Sequence, residues 1–408
     1  MPQLLLLVAI TGLVSSTGFL LLVVLAARRF RRNVRKAAAA TAALSPAEFP
    51  PVSILKTVCG LEPLLEENLE SFFQQDYPEF ELIFGARTPD DPAIAVVNRL
   101  RERYPKVKAR CVYSGEPPWP NPRVYSEAKM FDEASHDYIV MGDSDVRVPR
   151  DYLRNLIAPL LDPTVGLVTC IYRGKPSGGV WSRLEAAGFS VEFASGVLVA
   201  DLLEGMKFAL GPTTATRKDV LARIGGLAAL ADYHSEDYEI GRLVHAAGYR
   251  VLLSHVVIDH VTLNRAMISR QVRWMRCTRS SRPAGHIGNG LTFAAPYALL
   301  GFAAAGAWGH WALAWTLLAW GVLNRWLQAL VVGGGVVRDP ELWRYVWYYP
   351  LRDLLGFFFW LASFTGRKIV WRGELYRLGP GGRVVSLRNQ PPAGSPSHAA
   401  PIHPTGTD

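Results

Sequence analysis

Two carboxylates one residue apart, Asp143 and Asp145, follow directly on the apolar run Tyr138-Ile139-Val140-Met141-Gly142. A short run with β-branched and aromatic members, bounded by polar residues, predicts a buried strand, and the acids fall where it ends. In an open α/β sheet, ligands sit outside the carboxyl ends of the strands. Hard carboxylate oxygens at that position suit a divalent cation. An isolated D-x-D is more often a turn with two solvated acids, so the weight rests on its surroundings. Two further acidic pairs, Asp90-Asp91 and Glu236-Asp237, also fall at predicted strand ends or helix starts. Arg270-Gln271-Val272-Arg273-Trp274 adds guanidinium and indole groups.

Positioning these groups requires a sheet. Strands are predicted over 52–56, 80–85 and 108–113, alternating with helices over 62–75 and 91–104. That alternation argues for an α/β fold with a mostly parallel sheet. Further strands are predicted over 165–172, 208–216 and 250–259, and helices over 151–160 and 218–224. The helix that opens at Glu236 has Ser235 at its N-cap, and acids in its first turn suit the helix dipole. Over 264–282 a helix carries Arg270, Arg273, Arg276, Arg279 and Arg282 at every third position, a row suited to lipid headgroups.

The 408 residues are half hydrophobic, with a formal net charge of +9. From Leu4 to Ala27 the chain carries no charge, which is long enough to cross a bilayer core of about 30 Å at about 1.5 Å per residue. Arg28, Arg29, Arg31, Arg32, Arg35 and Lys36 follow the apolar run rather than precede it, which argues against a cleaved signal peptide. By the positive-inside rule the domain beyond them is cytoplasmic. The basic excess lies beside apolar segments, so the bilayer surface is the expected partner and nucleic acid is not. The expected organisation is an N-terminal transmembrane helix over 1–27, a basic segment and linker over 28–51, and a cytoplasmic catalytic domain over 52–262. An interfacial helix over 263–285, C-terminal membrane segments over 291–366, and a basic segment with a disordered tail over 367–408 complete it. Arg325, inside one of those membrane segments, calls for a partner. The stretch 181–204 reads either as an amphipathic surface near the bilayer or as a buried helix pair. Cys59, Cys111, Cys170 and Cys277 have no disulfide or metal-ligand spacing.

Taken in order, Asp91, Asp143-Ser144-Asp145, Glu236-Asp237-Tyr238 and the R-Q-V-R-W of residues 270–274 precede C-terminal apolar segments. As a set this resembles membrane-bound inverting glycosyltransferases with a GT-A fold. Ser53-Ile54-Leu55-Lys56-Thr57-Val58-Cys59-Gly60, Gln75-Asp76-Tyr77-Pro78 and Asp143-Ser144-Asp145-Val146-Arg147-Val148 narrow the resemblance to the ceramide glucosyltransferase group and its bacterial relatives, which include hopanoid glycosyltransferases. The resemblance implies a UDP-sugar donor, a membrane-lipid acceptor and a divalent cation, Mg²⁺ or Mn²⁺, on Asp143 and Asp145. It implies Asp237 as the base, and Lys56, Glu62, Asp91, Asp143, Arg270, Gln271, Arg273 and Trp274 around the nucleotide sugar. It also implies a multi-pass protein of a bacterial inner membrane. Relatives commonly carry Asn-Pro-Lys or Asn-x-Lys before the D-x-D strand, whereas this chain has Asn121-Pro122-Arg123. Arginine keeps the charge and changes the geometry.

Blander roles exist for the same residues. Asp237 can cap its helix, Asp91 can cap the helix that Pro92 opens, Arg273-Trp274 can anchor at an interface, and His234 can be a loop residue. Acceptors other than ceramide, such as a hopanoid or diacylglycerol, fit the same motifs, with UDP-N-acetylglucosamine or another UDP-hexose as donor. Three other readings are a processive polysaccharide synthase, an inactive nucleotide-sugar binder and a polybasic scaffold. The first would need a longer membrane bundle, the second no Asp237, and the third leaves the D-x-D strand unexplained.

Overall fold

The computed structural model describes residues 2–387, residue 372 apart. The expected disordered tail after residue 388 lies outside them. An eight-stranded sheet organises the domain, in the order β3-β2-β1-β4-β7-β6-β8-β5. In sequence these are β1 Val52–Thr57, β2 Phe80–Ala86, β3 Lys108–Tyr113, β4 Tyr138–Gly142, β5 Val146–Arg147, β6 Val165–Pro176, β7 Thr214–Arg217 and β8 Arg250–Thr262. β1 pairs in parallel with both β2 and β4. Its six residues are all buried, as a strand covered on both faces requires. β7 runs antiparallel to β4 and β6, so the sheet is mixed but mostly parallel. The strand expected over 208–216 shrinks to β7, since Pro212 has no N–H to give a ladder.

The helix Pro92–Arg103 buries Ile94, Val97 and Leu100 against the sheet. The helix Leu65–Phe73 starts later than its sequence suggests, because Leu64 after Pro63 takes a left-handed conformation (φ 60°). Ser235 stands at the N-cap of Glu236–Ala246, but its hydroxyl makes no capping bond.

The N-terminal helix runs unbroken from Pro2 to Ala42, beyond the expected boundary and through the first part of the expected linker. Alanine favours the helix strongly enough to carry it past the arginines. Among the described residues, two helices are long and apolar enough to cross a membrane, Gln3–Ala42 and Val180–Glu204. The second is one continuous helix with a π-turn at Gly188–Phe193, not a helix pair. Several of its charges have partners: Glu185 binds Arg270, Glu192 binds Arg352 and Asp201 lies beside Arg29. Of the expected C-terminal membrane segments, the first is shorter than the sequence suggests, whereas Trp311–Ala329 continues through a π-turn to Gly334 and Tyr349–Ser363 is longer. Ala295–Gly306 has 12 residues, about 18 Å of helix, and packs against Trp311–Ala329 and the N-terminal helix.

The segment expected to be only basic, beyond residue 367, folds into an antiparallel sheet of β9 Lys368–Trp371, β10 Glu374–Leu378 and β11 Val384–Ser386. Ile369, Tyr376, Leu378 and Val384 form a core with Cys277. That sheet leans on the helix Met267–Ser281 and reaches the loop before Glu236.

Candidate active site

β4 ends at Gly142, and the D-x-D follows at once. Gly142 leaves room for a neighbour, since a Cβ there would collide with the carbonyl oxygen of Pro212. Lys56, at the end of β1, lies under the turn. It is 1% exposed, donates to the Asp143 carbonyl at 2.7 Å and sits 3.6 Å from the centre of the Phe72 ring. Burial, with a smaller push from Arg123, lowers its ammonium to about 7 against the pull of Asp143 and Asp145. Its side chain is thus buried between the D-x-D turn and the Phe72 ring. Glu62 accepts a hydrogen bond from Ser144 at 2.9 Å, tying the loop after β1 to the D-x-D. Asp91 caps its helix as the blander reading has it: one oxygen accepts from both Ala93 N–H and Gly60 N–H at 2.9 Å.

The third metal-competent group is one that sequence reasoning passed over. β5 has two residues, and pairs Val146 with His260 and Arg147 with Asp259. The Val261 N–H donates to the Asp145 carbonyl. This brings Asp143, Asp145 and His260 together, with ligand atoms all within 4.8 Å. His260 Nδ1 lies 3.0 Å from the Val261 carbonyl, which assigns the proton to that nitrogen. The lone pair is then on Nε2, 3.8 Å from Asp145 Oδ1. Such a second hydrogen bond is how metal-ligating histidines are usually oriented. Asp145 Oδ1 is buried and has no hydrogen-bond partner. Two carboxylates, one of them with an orphaned oxygen, and an imidazole fit Mg²⁺ or Mn²⁺.

Arg123 joins the D-x-D to the Glu236-Asp237 pair. Its guanidinium contacts Asp143 at 3.0 Å, Glu127 at 3.1 Å and Glu236 at 2.7 Å, and donates to the Gly211 carbonyl. The helix Pro122–Glu133 starts at this point because the Asn121 side chain caps it, accepting from Arg123 N–H and Val124 N–H. Asp237 sits in the first turn of its helix, accepts from Tyr238 N–H at 2.8 Å and receives the Gly211 N–H. Burial raises the carboxyl of Asp237 above its ordinary range, and the Asp143 charge adds to it. One guanidinium faces four acids, of which Glu127 and Glu236 are buried. Burial pushes Glu236 up to about 8, with Asp237 and Glu127 adding to the rise.

The R-Q-V-R-W stretch divides. Arg270 binds the buried Glu185 at 2.6 Å and the Leu263 carbonyl at 2.7 Å. Gln271 is buried between Glu185 and Arg352. Both side chains are engaged with protein rather than presented to the cluster of acids. Arg273 instead donates to Nε2 of His234 at 3.0 Å. Trp274 packs 5.4 Å from Phe189, which stands 5.0 Å from the ring of His260. His234 is more than a loop residue: its N–H bonds to Gly382, and its ring meets Trp371 edge-on at 4.7 Å. Burial and Arg273 lower it to about 3, so it is a neutral acceptor. The arginine row is likewise occupied: Arg276 and Arg279 bond to carbonyls at 365–368, and Arg282 to Glu204.

A model of the family described as "Glycosyl transferase family 21" matches residues 9–384. The chain belongs to that family. It is similar to ceramide glucosyltransferase 1 of Caenorhabditis elegans, 26% identical over 350 residues that cover 84% of this chain and 74% of the relative. Ceramide glucosyltransferase 3 of the same organism is 25% identical over 349 residues, 83% and 74% of the two chains. Among solved structures, a mannosyltransferase from Pyrobaculum calidifontis in complex with GDP-Man and Mn²⁺ superposes with a TM-score of 0.54 at 20% identity, covering 87% of this chain and 99% of that one. This glycosyl transferase family 21 member thus has a GT-A fold and is a glycosyltransferase.

Proposed function

We propose that this glycosyltransferase moves a hexose, glucose in the first place, from a UDP-sugar to the hydroxyl of a ceramide-like membrane lipid, with inversion, on the cytoplasmic side of a membrane. The observation that carries the reading is the half-buried cluster in which Arg123 links Asp143 to Glu236, with Asp145, His260 and Asp237 beside it. Its support is the similarity to ceramide glucosyltransferases over 84% of the chain, together with the long apolar N-terminal helix.

In this reading the lipid oxygen attacks the anomeric carbon on the face opposite the diphosphate. The new carbon–oxygen bond forms as the bond to the β-phosphate oxygen breaks, and its electron pair leaves with UDP. Asp237 takes the proton of the lipid hydroxyl, for which its raised basicity suits it. Asp143, Asp145 and His260 would hold a divalent cation, which when bound would neutralise charge on the leaving diphosphate. Arg273, aimed by neutral His234, grips phosphate oxygens in fork geometry, and Trp274 excludes water. Glu62, the loop that carries it and the free oxygen of Asp91 receive the uridine. Arg270 and Gln271 act at one remove, holding Arg273 in register through Glu185, and Lys56 holds the D-x-D turn. A single displacement of this kind needs one base and no covalent intermediate.

The test is UDP release by the detergent-purified full chain. UDP-glucose, UDP-galactose and UDP-N-acetylglucosamine are each offered with ceramide, a polyhydroxylated hopanoid or diacylglycerol, with Mg²⁺, Mn²⁺ or EDTA. The expected outcome is ceramide-dependent release from UDP-glucose, abolished by EDTA. Asp237→Asn lowers kcat about 10³-fold, and His260→Ala raises the Mn²⁺ requirement by at least roughly tenfold. Release with another lipid or sugar alone would reassign the substrates. Release untouched by Asp237→Asn would remove the base.

A further inference from the structure

A cavity of about 310 Å³ lies where the ends of β6 and β8 meet residues 339–344 and the start of the helix Val180–Glu204. Successive residues of a strand face opposite sides, so Asp259, which borders this cavity, leaves β8 on the face away from His260. The cavity is therefore separate from the metal-competent cluster.

Its charges resolve into used and unused ones. Arg173 is held by Asp259 at 2.6 Å and donates to the carbonyls of Val337 and Arg338. Arg344 is paired with Glu341 at 2.6 Å. Asp339 accepts from the Ser190 hydroxyl and the Glu341 N–H. Two lining cations remain, Lys175 and Arg183, and neither forms an ion pair with another described residue. Two unpaired cations at a polar cavity of this size suit an anion with a polar body, such as a phosphate ester. The chain flanking the lining residues narrows the choice. Trp181, two residues before Arg183, is 41% exposed, and Trp343, next to Arg344 in sequence, is 68% exposed. Exposed tryptophans around basic groups are characteristic of the depth at which lipid headgroups lie. A soluble phosphate accounts for the cations and leaves the tryptophans unexplained.

We infer that this cavity binds the phosphate headgroup of an anionic membrane lipid, distinct from the acceptor, and that Lys175 and Arg183 are its phosphate ligands. The inference rests on the reading of the chain as a membrane enzyme.

Native mass spectrometry of the detergent-purified full chain tests it, with phosphatidylglycerol, phosphatidylcholine or soluble glycerol 3-phosphate as probe and UDP binding recorded on the same samples. Wild type is expected to retain phosphatidylglycerol over phosphatidylcholine. The double variant Lys175→Gln/Arg183→Gln is expected to lose about 30-fold in phosphatidylglycerol affinity, with unchanged UDP binding and Tm. The charge-keeping Lys175→Arg/Arg183→Lys pair is expected to retain the lipid. Equal retention of both lipids, or full retention by the neutral double variant, would overturn the site. Glycerol 3-phosphate bound as tightly as the lipid would make it a soluble-phosphate site instead. Wild type that binds phosphatidylglycerol but no UDP would count against the transferase reading and leave the lipid site standing.

Discussion

Arg123 meets Asp143, Glu127 and Glu236 at once, and its position reverses the usual worry about a lysine-to-arginine change. A lysine has one point charge to share, whereas the guanidinium fork reaches all three acids and the Gly211 carbonyl. Burial, with the charge of Asp143 adding to it, holds the Asp237 carboxyl above its ordinary range despite Arg123. The sign of the pH dependence follows. The proposed base Asp237 works only when ionised, so kcat/KM is expected to rise with pH through its elevated pKa. Glu236 keeps its proton below about 8, so Glu236→Gln removes no charge there and is expected to leave the acid limb of the pH–rate profile in place. A limb that moves in this variant would mean that Glu236 itself is the group titrating. For stability the sign is opposite: between about 4.5 and 8 the folded chain keeps a Glu236 proton that the unfolded chain releases. That contribution therefore weakens as pH rises across this window.

At the scale of elements, the sequence is legible where a residue's role is set by its own strand or helix. β4 and its trailing acids, the helix after Asp91 and the acid-rich start of Glu236–Ala246 all follow from local pattern. His260 does not, because it becomes a candidate ligand only through the pairing of a two-residue β5 with β8, and no local pattern announces so short a strand. Arg270 and Gln271 look like ligand-binding groups in sequence because nothing local reveals Glu185, 85 residues away from Arg270 and 1% exposed. The sheet β9–β10–β11 was hidden by its glycines and arginines, yet it is what His234 leans on. Trp371 packs edge-on against that ring, and such a pair contributes about 1 kcal/mol. Trp371→Ala is therefore expected to loosen His234 and Arg273 and to raise the donor KM about fivefold, with a smaller change in kcat. Steady-state kinetics against donor concentration read this directly, and an unaltered KM would leave the sheet without a role at Arg273.

Across the whole molecule, the helices near both ends of the chain are joined by polar contacts inside an apolar bundle. Arg325 and Asp353 are each 2% exposed, 2.8 Å apart, and Asp353 also accepts the N–H groups of Ala294 and Ala295. The partner that Arg325 required is thus an acid on the helix Tyr349–Ser363. Asp353→Ala strands a buried guanidinium and is expected to cost about 3–5 kcal/mol, whereas Arg325→Leu/Asp353→Leu together cost much less. Thermal unfolding in detergent compares the two, and equal losses would show that the pair acts only through its packing. The small C-terminal sheet, which binds Asp232 and His234 through Val384 and Gly382, also has a consequence in time. Residues 143–260 leave the ribosome well before these strands, which also follow the described helices of the bundle. A chain still short of them would carry the proposed proton acceptor and metal ligands without the brace behind Arg273. In the proposed reading, the grip on a sugar donor therefore forms only after the helices of the bundle have been made.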